Sequence, residues 1–377
     1  MNGFRVVIAG GGIAAVEGLL RLRRLVGDQL DVTIVAPEDE LRYRPLAVQE
    51  PFGGRGARRY RLWPIANHAG ASLVKDAVER VDPDGQVVHT AGGQALPYDA
   101  LLLAVGARSV PAFEHATTFD DAHADDTYRG LVQDLEGGYS KRLALLVPKG
   151  TTWPLPVYEL ALQTADRVYS MGFDDAQITL VTPEAAPLSA FGEAASKATA
   201  NALHSAGVRV IAGSRAEVPA TRRVVVEPSG EELDVERIVA LARLAGRAIR
   251  GVPSVDGGFT PIDDHCRVVG LGEHVFAAGD ATDFPLKQGG IGSQQADVAA
   301  ANIAALAGDV EPRMFTPVLR GALIAGERGH VYMQARIEGG VAVDSEVLDK
   351  PCWPAGDKVV AEELGPYLEA LDDERAS

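Results

Sequence analysis

The chain has 377 residues, 46% apolar and 23% charged, which is too long for one ordinary core and enough for two domains plus a small extra element. Its 36 basic and 52 acidic residues leave a formal charge of −16, which argues against general binding to nucleic acid or anionic lipid. Two cysteines, Cys266 and Cys352, exclude a disulfide framework beyond one bridge and favour a reducing compartment.

The sequence enters a strand directly after Met1-Asn2-Gly3, with no signal peptide, long apolar span or lipidation motif. A cytoplasmic protein without a membrane span is therefore expected. Arg5–Ala9 reads as a strand, Ile13–Val26 as a helix and Asp31–Ala36 as a second strand ending at Pro37. Such a βαβ unit predicts a parallel sheet. Between its first two elements, Gly10, Gly12 and Ala15 supply the spacing of a dinucleotide-binding turn, in which glycines let the backbone approach a pyrophosphate and the helix start faces it. The acidic residue that would bind ribose hydroxyls is Glu38, just past the second strand.

Further on come Arg42-Tyr43-Arg44-Pro45-Leu46 and a loop from Gly53 to Arg59, rich in glycine and arginine. Arg55, Arg58, Arg59 and Arg61 form a basic patch, read either as a solvated loop or as a contact for an anionic ligand or partner. Ser72–Val78 and Gln86–Thr90 read as short strands around the turn Asp82-Pro83-Asp84-Gly85. Leu101–Val105 is a fully apolar run, as a buried strand requires, and it ends at Gly106.

A second α/β segment starts near Lys141. Arg142–Val147, Gln177–Val181, Val208–Ile211, Val224–Glu227 and Ile238–Leu241 read as strands, and Val157–Tyr169 and Glu193–Ala206 as helices. Val275-Phe276-Ala277-Ala278-Gly279-Asp280 reads as an apolar strand ending in a glycine followed by a carboxylate, and an apolar helix is expected over Gln294–Ala305. Asp280 reads either as an acceptor for sugar-chain hydroxyls or as a helix N-cap. The expected fold class is α/β, with two Rossmann-like dinucleotide-binding domains in a glutathione reductase-like arrangement. The second is inserted in the first, and a small C-terminal α+β element follows. Residues 1–111 and 257–314 would form the first domain, 112–256 the second and 315–377 the last. Three segments, Gly10–Gly12, Tyr98–Ala107 and Ala278–Asp280, together read as one FAD site.

On these motifs the chain resembles the two-dinucleotide-binding-domain flavoproteins of the pyridine nucleotide-disulfide oxidoreductase superfamily. Within it the closest resemblance is to the branch of sulfide:quinone oxidoreductases, flavocytochrome c sulfide dehydrogenases and type II NADH dehydrogenases. The resemblance implies FAD, with its pyrophosphate at Gly10–Ala15. It implies adenosine contacts near Glu38 and Asp76-Ala77-Val78, flavin contacts near Arg44, Pro45 and Ala104–Gly106, and a ribityl contact at Asp280. It also places Lys287, Gln288 and Gly289 near the isoalloxazine, where Lys287 would stabilise charge on the reduced ring. The other reading of Lys287 is a solvated loop lysine.

Two departures bear on the chemistry. The second domain's strand runs into Val147-Pro148-Lys149-Gly150-Thr151-Thr152-Trp153-Pro154-Leu155-Pro156, with one glycine and three prolines among the last nine positions. Proline lacks the N–H that would grip a pyrophosphate, so this nucleotide turn is degenerate. Trp153 and Pro154 would instead line a substrate pocket, or simply pack between domains. The paired redox cysteines of disulfide reductases are also missing. Cys266 reads as inert in a polar turn, and Cys352 is either a lone reactive thiol or structural. The eight histidines show no metal-ligand spacing, and no metal is expected. A helix over Ala361–Ala370 carries Glu362, Glu363 and Glu369 and is too acidic for lipid docking.

The expected function is that of a FAD-dependent oxidoreductase. It would take electrons from a small-molecule donor and pass them to a quinone, a carrier protein or oxygen. Alternatives are an NAD(P)H-dependent reductase, sulfide or thiol oxidation through Cys352, and a non-catalytic FAD-binding protein. A homodimer is left open.

Overall fold

A computed structural model describes residues 3–54, 56–120, 123–173, 175–308, 310–326, 329–353 and 358–376. Arg55 of the basic patch and Pro354 beside Cys352 lie outside the described residues. Two five-stranded parallel sheets organise the chain. In the first, the spatial order is Val275–Ala277, Ala100–Leu103, Phe4–Ala9, Leu30–Ala36 and Ser72–Lys75. In the second it is Thr117–Phe119, Arg237–Leu241, Arg142–Leu146, Gln177–Val181 and Arg209–Ile211. The last four positions follow the same chain order in both sheets. The first position is filled by a strand from after the second lobe in one sheet and by that lobe's own first strand in the other. The α/β class with one dinucleotide-type fold inserted in another is thus present.

Burial explains why these segments are strands. Ala100–Leu103 is buried at every position, because helices cover one face of its sheet and a small antiparallel sheet covers the other. On the helical face, Ala15, Val16, Leu19 and Leu22 of Ile13–Val26 share a core with Ala296, Ala299, Ala300 and Ile303 of Gly289–Ala307. On the other face, Val81 and Val88 from the strands Val78–Asp82 and Val87–Thr90 pack on Val7, Leu101 and Leu103.

The C-terminal element joins the two lobes. Its antiparallel strands Val318–Ile324, His330–Glu338 and Val341–Leu348 pack through Leu319, Met333 and Ala335 into the core of the second lobe. Its helix Leu364–Ala376 packs Leu364 and Leu368 into the core of the first.

Three elements differ from expectation for local reasons. Ser72–Val78 divides into Ser72–Lys75 and Val78–Asp82, because Asp76 accepts the N–H groups of Ala77 at 2.8 Å and Gly92 at 2.9 Å and turns the chain between them. The inner helix starts at Gly289, not Gln294, because the Gln288 side chain caps it by accepting from the Ile291 N–H at 2.9 Å. The last helix starts at Leu364, not Ala361. There Glu17 accepts from the N–H groups of Glu363 at 3.1 Å and Leu364 at 2.6 Å. The helices Leu62–His68 and Ala124–Glu136 had no counterpart in the sequence reading.

Candidate functional site

The neighbouring strands Phe4–Ala9 and Ala100–Leu103 are where the first sheet reverses its order of growth, and ligands of such sheets sit beyond the carboxyl ends at this point. The chain is built for close approach there. Gly10 has φ of 130°, and a Cβ at this position would collide with the Ala104 carbonyl. The turn is fixed by Gly10 donating to the Val35 carbonyl at 2.8 Å and Ala104 donating to the Ala9 carbonyl at 2.8 Å. Gly12 then begins the helix Ile13–Val26. No side chain caps this helix start, no acidic residue lies in its first turn, and nothing of the protein comes within 4 Å of where a Gly12 Cβ would be. Free N–H groups and the positive end of the helix dipole therefore face open space.

That space is a cleft of about 850 Å³. Gly10, Gly12, Glu38, Ala77, Val78, Arg44, Pro45, Ala104 and Gly106 line it. Asp280, Lys287, Gln288, Gly289 and Trp153 lie on its wall as well. The fold thus gathers on one surface most residues singled out from the sequence. Ala15, Pro154 and Cys352 are among those not on it. Ala15 is fully buried beneath the turn and packs in the helix–sheet core, as a small residue there allows. Pro154 is buried at the start of the helix Leu155–Ser170. Cys352 is exposed, and its thiol donates to Gln334 Oε1 at 3.2 Å.

Charge is concentrated near Asp280. Burial pushes its carboxyl up from the ordinary range, while Lys287 and Arg44 pull it down. Asp280 sits in the short turn Gly279–Ala281 and caps no helix. Lys287 is only 5% exposed, so it is not a solvated loop residue. Its ammonium donates to the Thr282 carbonyl and lies 4.0 Å from the centroid of the Phe259 ring. Burial lowers its pKa to about 8, against the opposing pull of Asp280 and Asp283.

Trp153, Leu155, Pro156, Gly321 and Val359 also line the cleft, and so does Lys358. Lys358 Nζ contacts both carboxylate oxygens of Glu159 at 2.6 Å, and the Ile324 N–H donates to the same carboxylate at 2.9 Å. Glu159 is fully buried, and burial raises its pKa while Lys358 lowers it. Lys358, Glu159 and Arg247 carry no mark in the sequence, and Arg42 stands there only as part of the segment around Arg44. A buried-strand or helix pattern carries no mark of a partner so distant along the chain.

The second lobe's turn is closed on itself. Thr151 donates through both its N–H and its hydroxyl to the Pro148 carbonyl, at 3.2 and 2.8 Å. Glu184, just past the strand Gln177–Val181, holds the place Glu38 holds in the first lobe. It is committed internally: Tyr158 donates to Oε2 at 2.5 Å, and the Ser189 N–H donates to Oε1 at 3.0 Å. Cys266 is fully buried in its turn, where burial pushes the thiol well above its usual range. Among the described residues no cluster of metal-ligating side chains is present, and no helix is long and apolar enough to cross a membrane.

Residues 4–144 and 158–302 match the family described as pyridine nucleotide-disulphide oxidoreductase. A sulfide-quinone reductase of Aquifex aeolicus (strain VF5) is 28% identical over 167 residues, covering 42% of this chain and 37% of that protein. The chain therefore matches little more than a third of the length of that relative. The crystal structure of the sulfide:quinone oxidoreductase from Aquifex aeolicus superposes with a TM-score of 0.82 at 17% identity, covering 99% of this chain and 90% of the other. A ferredoxin reductase from Rhodopseudomonas palustris superposes with a TM-score of 0.64 at 19% identity, covering 91% and 90%. At these identities the structural likeness is one of fold.

Proposed function

The chain belongs to the pyridine nucleotide-disulphide oxidoreductase family, and we propose on that basis that it is a FAD-dependent oxidoreductase. It would pass electrons from a small donor through the flavin to a quinone, a carrier protein or oxygen. The observation that carries this reading is the cleft whose lining brings together the uncapped helix start at Gly12, Asp280 and Lys287. Its volume of about 850 Å³ lies within the ordinary range for bound cofactors.

The residues suit the group. The N–H groups after Gly12 would receive the pyrophosphate. Glu38 would accept from ribose hydroxyls, Ala77 and Val78 would flank the adenosine, and Asp280 would accept from the ribityl chain. Arg44, Pro45, Ala104 and Gly106 would border the ring. When bound, the flavin supplies the electron-carrying chemistry. Lys287, Gln288 and Gly289 lie at the start of the inner helix, so a lysine charge and a helix dipole together favour negative charge on that side of the ring.

The apolar pocket of Trp153, Leu155, Pro156 and Val359 is where a small substrate would meet the ring. Lys358 stands at its edge with a buried carboxylate behind it, so a proton can be held beside the substrate by Lys358 while Glu159 keeps the lysine in place. The names of the relatives suggest sulfide as donor and quinone as acceptor, or a protein carrier in the ferredoxin reductases. No cysteine lines this chain's cleft, so we propose a donor reaction that does not proceed through a protein persulfide. The internally bonded Glu184 and the proline-rich turn favour a donor other than NADH or NADPH.

Anaerobic mixing of the flavin-loaded protein with NADH, NADPH, sulfide, thiols and quinols tests the reading. Bleaching by sulfide, a thiol or a quinol, and none by either nicotinamide within minutes, is expected. A chain that takes up no flavin on expression or refolding with FAD refutes the proposal outright.

A further inference from the structure

The strands Glu40–Tyr43 and Arg58–Arg61 pair antiparallel, with Arg42 directly opposite Arg59. Like charges at opposed positions of a ladder repel. Neither guanidinium has a hydrogen-bond or ion-pair partner among the described residues. This is unusual for a chain with an excess of 16 acidic charges.

The two arginines line a second pocket of about 450 Å³, with Arg44, Arg129, Gly53 and Gly54. Its carboxylates are already committed. Glu50 Oε1 accepts the Ala57 N–H at 2.5 Å, and Asp125 Oδ1 accepts Arg129 Nε at 2.5 Å. Arg42 and Arg44 also line the large cleft, so the pocket opens beside it.

We propose that this pocket is a binding site for a small anion, a phosphate- or carboxylate-bearing molecule held between Arg42 and Arg59. A guanidinium presents a planar fork of donors that matches both groups bidentately, and an anion between the two converts their repulsion into two attractions. The concave shape and small volume favour a small molecule over the face of a protein. The site rests on the flavin reading only for its neighbourhood: Arg59 lines the small pocket and not the large cleft.

Calorimetric titration of the flavin-loaded protein with pyrophosphate, and separately with succinate, tests this. Saturable binding of one or both is expected, and the preferred probe identifies the ligand class. Arg59→Gln is expected to weaken it by roughly tenfold or more. Arg61→Gln, which removes the same charge two residues away and outside the pocket, is expected to change it by less than about twofold. Flavin content is expected to be equal in all three proteins. If Arg59→Gln does not fold, Arg59→Lys takes its place, since it keeps the charge and loses the fork. The proposal is overturned if neither probe saturates, if Arg61→Gln weakens binding equally, or if Arg59→Gln loses flavin in parallel. The same titrations on protein without flavin separate failure of this site from failure of the flavin reading.

Discussion

Lys358 Nζ lies 2.6 Å from both carboxylate oxygens of Glu159, 199 residues away in sequence. The pair joins the C-terminal element to the helix Leu155–Ser170 at the edge of the cleft. The carboxylate has no water to turn to if the lysine is removed. Lys358→Met is therefore expected to lower stability by about 3–5 kcal/mol near neutral pH. Glu159→Gln combined with Lys358→Met is expected to cost less than the lysine change alone, because no charge is left buried. Denaturant midpoints of the three variants check this. Removing Lys358 also takes away the pull that lowers the Glu159 pKa, so the single variant's deficit is expected to shrink as pH falls and the carboxyl takes up a proton.

If the cleft holds the proposed flavin, substitutions at Gly10 and Gly12 are expected to separate folding from cofactor binding. Gly10→Ala is strained by its φ of 130° and by the Ala104 carbonyl, so loss of both stability and flavin is expected. Gly12 has an ordinary φ of −88° and no protein atom within 4 Å of a Cβ. Gly12→Ala is expected to keep the stability of the flavin-free protein within about 0.5 kcal/mol. Its methyl group would stand where the pyrophosphate approaches, so flavin content should fall. Absorbance ratios and apo-protein melting, measured side by side, decide it. Full flavin content in Gly12→Ala would remove the turn from the site.

Glu17 and Asp297 face each other across the packed helices Ile13–Val26 and Gly289–Ala307, and burial raises them to about 7 and about 8. Arg21 pulls Asp297 down, whereas Glu362 and Glu363 push it up. Both acids hold protons in the folded chain that they release in the unfolded one. Their contribution is fully present below the unfolded values and is lost as pH rises through about 7 to 8. Stability at pH 6 is therefore expected to exceed that at pH 8.5 by on the order of a few kcal/mol from these groups. Asp297 Oδ1 is buried without a partner, so Asp297→Asn is expected to flatten the profile and stabilise the alkaline side. Melting curves across this range give the answer.

The two thiols are expected to differ sharply. Cys352 is exposed and Cys266 is fully buried. A thiol reagent such as Ellman's is expected to label one cysteine in the native chain and both after unfolding. Cys352→Ser is expected to retain flavin reduction by the physiological donor class, since the residue lies off the cleft. Loss of that activity would return Cys352 to the mechanism.

Much of this site was legible because it is local. The strand Phe4–Ala9, the glycines and the helix Ile13–Val26 are contiguous, and each residue type has a reason visible within a few positions. The segment Lys287–Gly292 was harder. Glycines at 289, 290 and 292 look like a loop, yet they lie in a helix. A Cβ at Gly292 would press on the Gly279 backbone, so their smallness serves close packing. The start of the last helix was illegible for a different reason, since its cap is Glu17, 347 residues before the Leu364 N–H it receives. The opposed pair Arg42 and Arg59 was half visible: the basic patch was noted, but which arginines share a face depends on the register of a hairpin.

The chain leaves the first lobe and returns to it at nearly the same place. Ala107 pairs with Gly246 across the strands Ala107–Val110 and Arg243–Gly246, and Gly246 donates to the Gly257 carbonyl at 2.7 Å. Every strand of the first sheet lies outside the stretch between them. The two ends of the second lobe thus lie side by side, while the C-terminal strands stay packed against its core. A shortened gene that splices these ends would still encode the whole first sheet, the Gly12 turn and Asp280, and so offers a way to ask whether holding a flavin and choosing its substrate are separable inheritances.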